Sequence, residues 1–169
     1  PHLLPWRTAL RNVELPLELA GTDSETRNER ARAALRKLGL EKFENSLPHQ
    51  LSGGMRMRVS LARALVTEPK TLFLDEPFAA LDEITRQQLD EDLRQLWLNQ
   101  KMTIVFVTHS ISEAVFLSNR ALVFSSSPGQ IILDAHLKLP EQRNLQTKSL
   151  PSYLASVSFL YEHLQKGRE

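Results

Sequence analysis

Thr71-Leu72-Phe73-Leu74-Asp75-Glu76-Pro77 is the stretch on which the reading of the fold turns. Residues 71–74 form a short apolar run that follows Pro69 and ends in two consecutive carboxylates. A run of this length, bounded by turn-formers, reads as a buried strand. Such a strand carries Asp75 and Glu76 to its C-terminal edge, where ligands sit in open α/β sheets. There Asp75 would hold Mg²⁺ through water, and Glu76 would polarise an attacking water. Phosphoanhydride hydrolysis needs both, because metal charge neutralises the phosphates and a base orients the nucleophile. The same residues would equally make a solvated acidic turn closing a strand.

Working outward, strands alternate with helices. A second apolar, β-branched run at 103–107 reads as another buried strand. Between the two lies a helix over 84–98, with Ile84, Leu89, Leu93, Leu96 and Trp97 on its apolar side. A helix over 111–117 follows, then strands over 121–124 and 131–134 joined at Pro128 and Gly129. On the N-terminal side the spacing predicts a helix from Asp23, with Ala31, Ala34, Leu35 and Leu38 in one stripe and Gly39 as terminator. Another runs over 55–66, burying Val59, Leu61, Ala62 and Leu65. The tail over 151–166 reads as an amphipathic helix through Leu154, Val157, Phe159, Leu160 and Leu164. This pattern argues for an α/β fold with a parallel core.

Three further constellations carry chemistry. In Leu51-Ser52-Gly53-Gly54-Met55-Arg56, two glycines at a helix start leave backbone N–H groups open, and the Ser52 hydroxyl adds a donor. The positive end of a helix then makes an anion cradle suited to phosphate oxygens. The alternative is a Ser-capped helix after a glycine hinge. His109, at the end of the second strand, could contact a γ-phosphate or serve as an ordinary cap. Ala80-Leu81-Asp82 closes the acidic segment, and Asp82 is by default an N-cap.

Bulk properties bound the alternatives. The chain has 169 residues, 41% of them hydrophobic, and a formal net charge of +1, which suit one globular domain. That near-balance gives no reason to expect nucleic acid as a partner. With no cysteine, disulfides, cysteine metal sites and thiol catalysis are excluded, and a reducing compartment fits. The apolar runs are too short to span a bilayer.

In their order and spacing these features resemble the ATP-binding-cassette family. Residues 51–55 match its signature loop, 72–76 its Walker B strand, 80–82 its D-loop and His109 its switch histidine. Leu3-Leu4-Pro5-Trp6 and Asn12-Val13 resemble the sequence after the family's Q-loop. With Thr108-His109-Ser110-Ile111 and Glu113-Ala114-Val115-Phe116-Leu117, the wording is most similar to ATPases of nitrate, sulfonate and taurine importers. Met57 and Ser110 depart from that pattern, where the importers usually have Gln and often Asp.

The resemblance implies a P-loop NTPase-like fold divided into a helical subdomain over about residues 1–60, an α/β core over about 61–135 and a C-terminal extension over about 136–169. It implies ATP and Mg²⁺ as cofactors, a head-to-tail dimer with a second cassette, and membrane permease subunits as partners. A solute-binding protein would act indirectly, and the subunit would lie on the cytoplasmic face of a bacterial membrane. Ser52, Gly53, Gly54 and Asp82 would contact nucleotide, Asp75 the metal, and Glu76 and His109 would be catalytic. No G-x-x-x-x-G-K-[ST] stretch occurs, and the sequence opens on Pro1, so the phosphate-loop segment is expected to lie before it. Without that loop the chain is expected to be inactive alone and to expose apolar surface. Two rivals stand beside this reading: a non-transport cassette ATPase, and a non-catalytic remnant that binds a partner.

Overall fold

The computed structural model describes residues 2–167. Contacts divide it into two units, each taken by itself. One comprises Pro1–Phe73, Pro77–Arg86 and Met102–Val105; the other Leu74–Glu76, Gln87–Lys101 and Phe106–Glu169.

The first unit is built on three helices: α1 (Ala9–Leu19), α2 (Ser24–Lys37) and α3 (Gly53–Leu65). Each begins on a side chain that satisfies an otherwise unpaired helix N–H. Thr8 accepts from the Arg11 N–H, Asp23 from Thr26 and Ser52 from Met55. Gly39 stops α2 with φ 68°, a left-handed conformation that glycine adopts without a Cβ clash. There the Leu40 N–H reaches the Leu35 carbonyl and Gly39 that of Arg36, the paired bonds of a Schellman turn. The helices pack on one another. Val13, Leu35, Val59 and Ala62 are among their buried residues, each large aliphatic contributing about 1.5–3 kcal/mol. Two polar residues share this burial. Asn12 bonds to the backbone of Leu4, Arg7 and Thr8, and Glu14 to Arg11 and Asn28.

Strands β1 (Thr71–Asp75) and β2 (Thr103–Val107) pair. The Thr103 N–H donates to the Lys70 carbonyl and Glu76 to that of Val107. Residue numbers rise together on both sides, so the pairing is parallel. Parallel strands need a crossover, here the long helix α4 (Glu83–Gln100).

In the second unit, α5 (Ile111–Leu117) precedes an antiparallel hairpin, β3 (Arg120–Phe124) with β4 (Ile131–His136), which is irregular at Val123/Phe124. A bidentate Arg120–Asp134 contact at 2.8 and 2.6 Å joins the hairpin's strands. Helix α6 (Pro151–Lys166) completes a core of Val115, Phe116, Ala121, Val123, Tyr153 and Leu160.

Several burial expectations need correction. The parallel strands were expected to be buried, yet alternate residues face outward: Phe73 is 74% exposed, and Val105 and Val107 are also exposed. The cause is strand periodicity, which sends successive side chains to opposite faces, with only one face covered. Ile84 is 82% exposed because it lies in the first turn of α4, ahead of the buried Leu89, Leu93 and Leu96. In α6 the buried line passes through Tyr153 and Leu160, leaving Leu154 and Phe159 outside. Arg56 and Arg63 are half-buried and bond to the carbonyls of Leu51 and His2.

Candidate functional site

Glu76 stands one residue beyond β1 with φ 41°, in the left-handed region that is costly for a residue bearing a Cβ. Its N–H bond to the Val107 carbonyl, 2.9 Å, holds it there. Such a backbone persists only where its neighbours hold it; Glu68 and Lys101 also have positive φ, so it is the contacts of Glu76 that set it apart. The turn aims the carboxylate across the strand ends: Glu76 Oε1 lies 3.3 Å from His109 Nδ1. Both side chains are open to solvent, so the contact is an ion pair only when the imidazole carries both protons. Asp75 closes β1 with an exposed carboxylate next to them in sequence. Glu76 and His109 thus meet at the C-terminal ends of two neighbouring parallel strands, with Asp75 beside Glu76 in the chain.

His109 is fixed from behind by a relay that the sequence reading missed. The Thr108 hydroxyl donates to the Glu113 carboxylate and accepts from the Ser110 N–H. The Ser110 hydroxyl in turn accepts from the Glu113 N–H at 3.3 Å, capping α5. The signal was present as Ser110-x-x-Glu113, a capping-box pattern, with Glu113 turned to Thr108.

The glycine pair lies in the first unit. Ser52 caps α3 by accepting from Met55, and its own hydroxyl hydrogen stays available for donation to an anion. A Cβ on Gly54 would come within 2.6 Å of Thr85 Cγ2, and one on Gly53 within 3.2 Å of Leu81 Cδ2. Close packing against the 81–85 turn is therefore a second reason for glycine here, beside the open N–H groups. Asp82 accepts from the Thr85 N–H at 2.9 Å and from its hydroxyl at 2.7 Å. This is N-cap geometry. The Thr85 hydroxyl first, and its N–H second, hold the Asp82 carboxyl below the ordinary aspartate range.

A family model described as ABC transporter matches residues 1–79. A taurine import ATP-binding protein of Rhizobium johnstonii is 47% identical over 93% of this chain and 60% of its own length. The chain belongs to the ATP-binding-cassette family. An aliphatic sulfonates import ATP-binding protein of a Mycobacterium species is 47% identical over 85% of the chain and 58% of its own length. Among solved structures, the ATP-binding cassette MJ0796, a dimer in a post-hydrolysis state bound to ADP and Pi, superposes with a TM-score of 0.66. It is 37% identical, covering 81% of this chain and 60% of that one. The chain thus spans about three fifths of the length of these cassette relatives.

Proposed function

We propose that these residues belong to the ATP-hydrolysing subunit of an importer for a small solute of the sulfonate, taurine or nitrate type. The observation that carries the reading is the contact between Glu76, on its strained backbone, and His109. Glu76 polarises the attacking water, and His109 orients that carboxylate and faces the phosphate that leaves. Asp75 fits Mg²⁺, which takes one or two protein carboxylates and completes its shell with phosphate oxygens and water. Among the described residues no cluster of three or more His, Cys, Asp or Glu could hold a metal by itself. When bound, the ion supplies charge neutralisation.

Ser52, Gly53 and Gly54 present donors toward nucleotide held by a second cassette in a head-to-tail dimer, while Asp82 keeps the 81–85 turn packed against the glycines. The relatives named for taurine and sulfonate import support the solute class, and the dimer bound to ADP and Pi supports the pairing. Permease subunits would be the membrane partner, with this subunit at the cytoplasmic face and a periplasmic or lipoprotein solute-binding protein acting indirectly through them. Among the described residues no helix is long and apolar enough to cross a membrane.

In the full-length gene product, Glu76→Gln should lower ATP hydrolysis by at least about 100-fold and leave binding of a fluorescent ATP analogue intact. The 169 residues expressed alone contain no G-x-x-x-x-G-K-[ST] stretch to cradle phosphates. They should show no phosphate release in a malachite-green assay. Turnover by the 169 residues that Glu76→Gln abolishes would refute that expectation. Undiminished hydrolysis in the full-length Glu76→Gln variant would remove the role given to Glu76.

A further inference from the structure

The segment that follows the hairpin grips the helix that begins two residues after His109, and it does so at both ends. At the far end of α5, Arg143 Nη1 donates to the carbonyls of Val115, Phe116 and Ser118, at 2.8–3.0 Å. Arg94 Nη1 takes the Leu117 carbonyl at 2.9 Å, and both arginines donate to Asn119 Oδ1. The last carbonyls of a helix have no intrahelical partner, and its C-terminus carries partial negative charge. Here the carbonyls of residues 115–118 all accept from guanidinium groups. Arg143 is only 7% exposed. Burial first, and the neighbouring Arg94 second, lower its pKa to about 10, so it remains charged at neutral pH.

At the near end, the Tyr153 hydroxyl of α6 lies 2.8 Å from Ser112 Oγ and donates to the Ser112 carbonyl at 2.9 Å. Its ring is buried among Val115, Phe116 and Leu160. From there the Thr108–Glu113–Ser110 relay leads directly to His109.

We infer that Tyr153 and Arg143 are positioning residues for His109, acting through α5, which gives the C-terminal segment a part in the catalytic geometry. As far as hydrolysis is concerned, this rests on the function proposed above. A side chain 3.3 Å from its partner is sensitive to small shifts of the helix behind it, and a misplacement of 1 Å can cost about 100-fold in rate.

Tyr153→Phe keeps the ring and removes only the hydroxyl. Two readouts separate a positioning role from a merely structural one. In the full-length gene product, the His109 imidazole NMR signals should move, while those of His49, on a separate 3-10 turn, stay fixed. Leu154→Ala, on the exposed side of α6, should leave both unchanged. In the full-length gene product, kcat should fall about tenfold with KM for ATP within about twofold. Ser112→Ala, which removes the hydroxyl on the α5 side, should move the His109 signals in the same sense and serves if Tyr153→Phe does not fold. Unmoved His109 signals in a folded variant overturn the inference, whatever the kinetics show. A full-length wild type without hydrolysis would count against the proposed function alone, since the NMR readout does not depend on turnover.

Discussion

At Gly54 the structure adds a cause that composition could not show. Adjacent glycines at a helix start read naturally as an anion cradle, yet a Cβ there would meet Thr85 Cγ2 at 2.6 Å. Thr85 has little room to give, because both its N–H and its hydroxyl are bonded to Asp82. Gly54→Ala should therefore destabilise the protein by about 1–3 kcal/mol in urea unfolding, the usual cost of overpacking. Thr85→Ser deletes the colliding methyl and keeps the hydroxyl on Asp82, so the double variant should recover most of that loss. A double variant no more stable than Gly54→Ala would show that packing is not what reserves the position for glycine. The meeting of Glu76 and His109 was legible in the sequence, because each follows a strand by one or two residues and neighbouring parallel strands end side by side. Tyr153 and Arg143 left no such trace. Their partners lie more than a helix away, and no periodicity marks a residue that reaches a distant carbonyl.

Among the elements, helix starts and stops were the most readable parts: Asp23, Gly39 and Ser52 all lie at helix ends. Burial was less readable where a stripe could be drawn in two ways. In α6 the apolar letters favoured Leu154 and Phe159, but the helix is turned so that Tyr153 and Leu160, seven residues apart, face the core. Tyrosine tolerates this because its hydroxyl finds Ser112. The cap at α4 has a pH signature. The Asp82 carboxyl is held below its ordinary value of 3.8, first by the Thr85 hydroxyl and then by its N–H. For a carboxyl depressed in the folded state, the stabilisation is full above the unfolded value and is lost as pH falls through the folded one. Asparagine caps comparably without a titrating charge. Asp82→Asn should thus be almost neutral near pH 7 and should flatten the acid limb of the melting curve below about pH 4. Parallel acid limbs for wild type and variant would show that Asp82 contributes nothing through its charge.

On the scale of the 169 residues taken together, what stands out is a parallel ribbon with one uncovered face. Parallel strands occur almost only with both faces covered, and the apolar runs of β1 and β2 were read from the sequence as buried on that ground. The structure shows why the letters alone misled: Leu72 is buried while Phe73, next to it, is 74% exposed, and Val105 and Val107 on β2 are exposed as well. Hydrophobic runs record what a strand is suited to be covered by, whereas exposure depends on what packs against it. An open phenylalanine gains about 1.5–3 kcal/mol on full burial, enough to drive self-association when several apolar side chains stand near one another. The 169 residues should accordingly associate with rising concentration. Phe73→Thr keeps a strand-forming residue while removing the largest open side chain of the ribbon. It should reduce the concentration-dependent growth of mass seen by light scattering and change unfolding free energy by no more than about 0.5 kcal/mol, as for other surface substitutions. If wild type stays monomeric at high concentration, the uncovered face is not adhesive. If Phe73→Thr instead lowers stability by several kcal/mol, the side chain is packed in solution and the ribbon is covered after all.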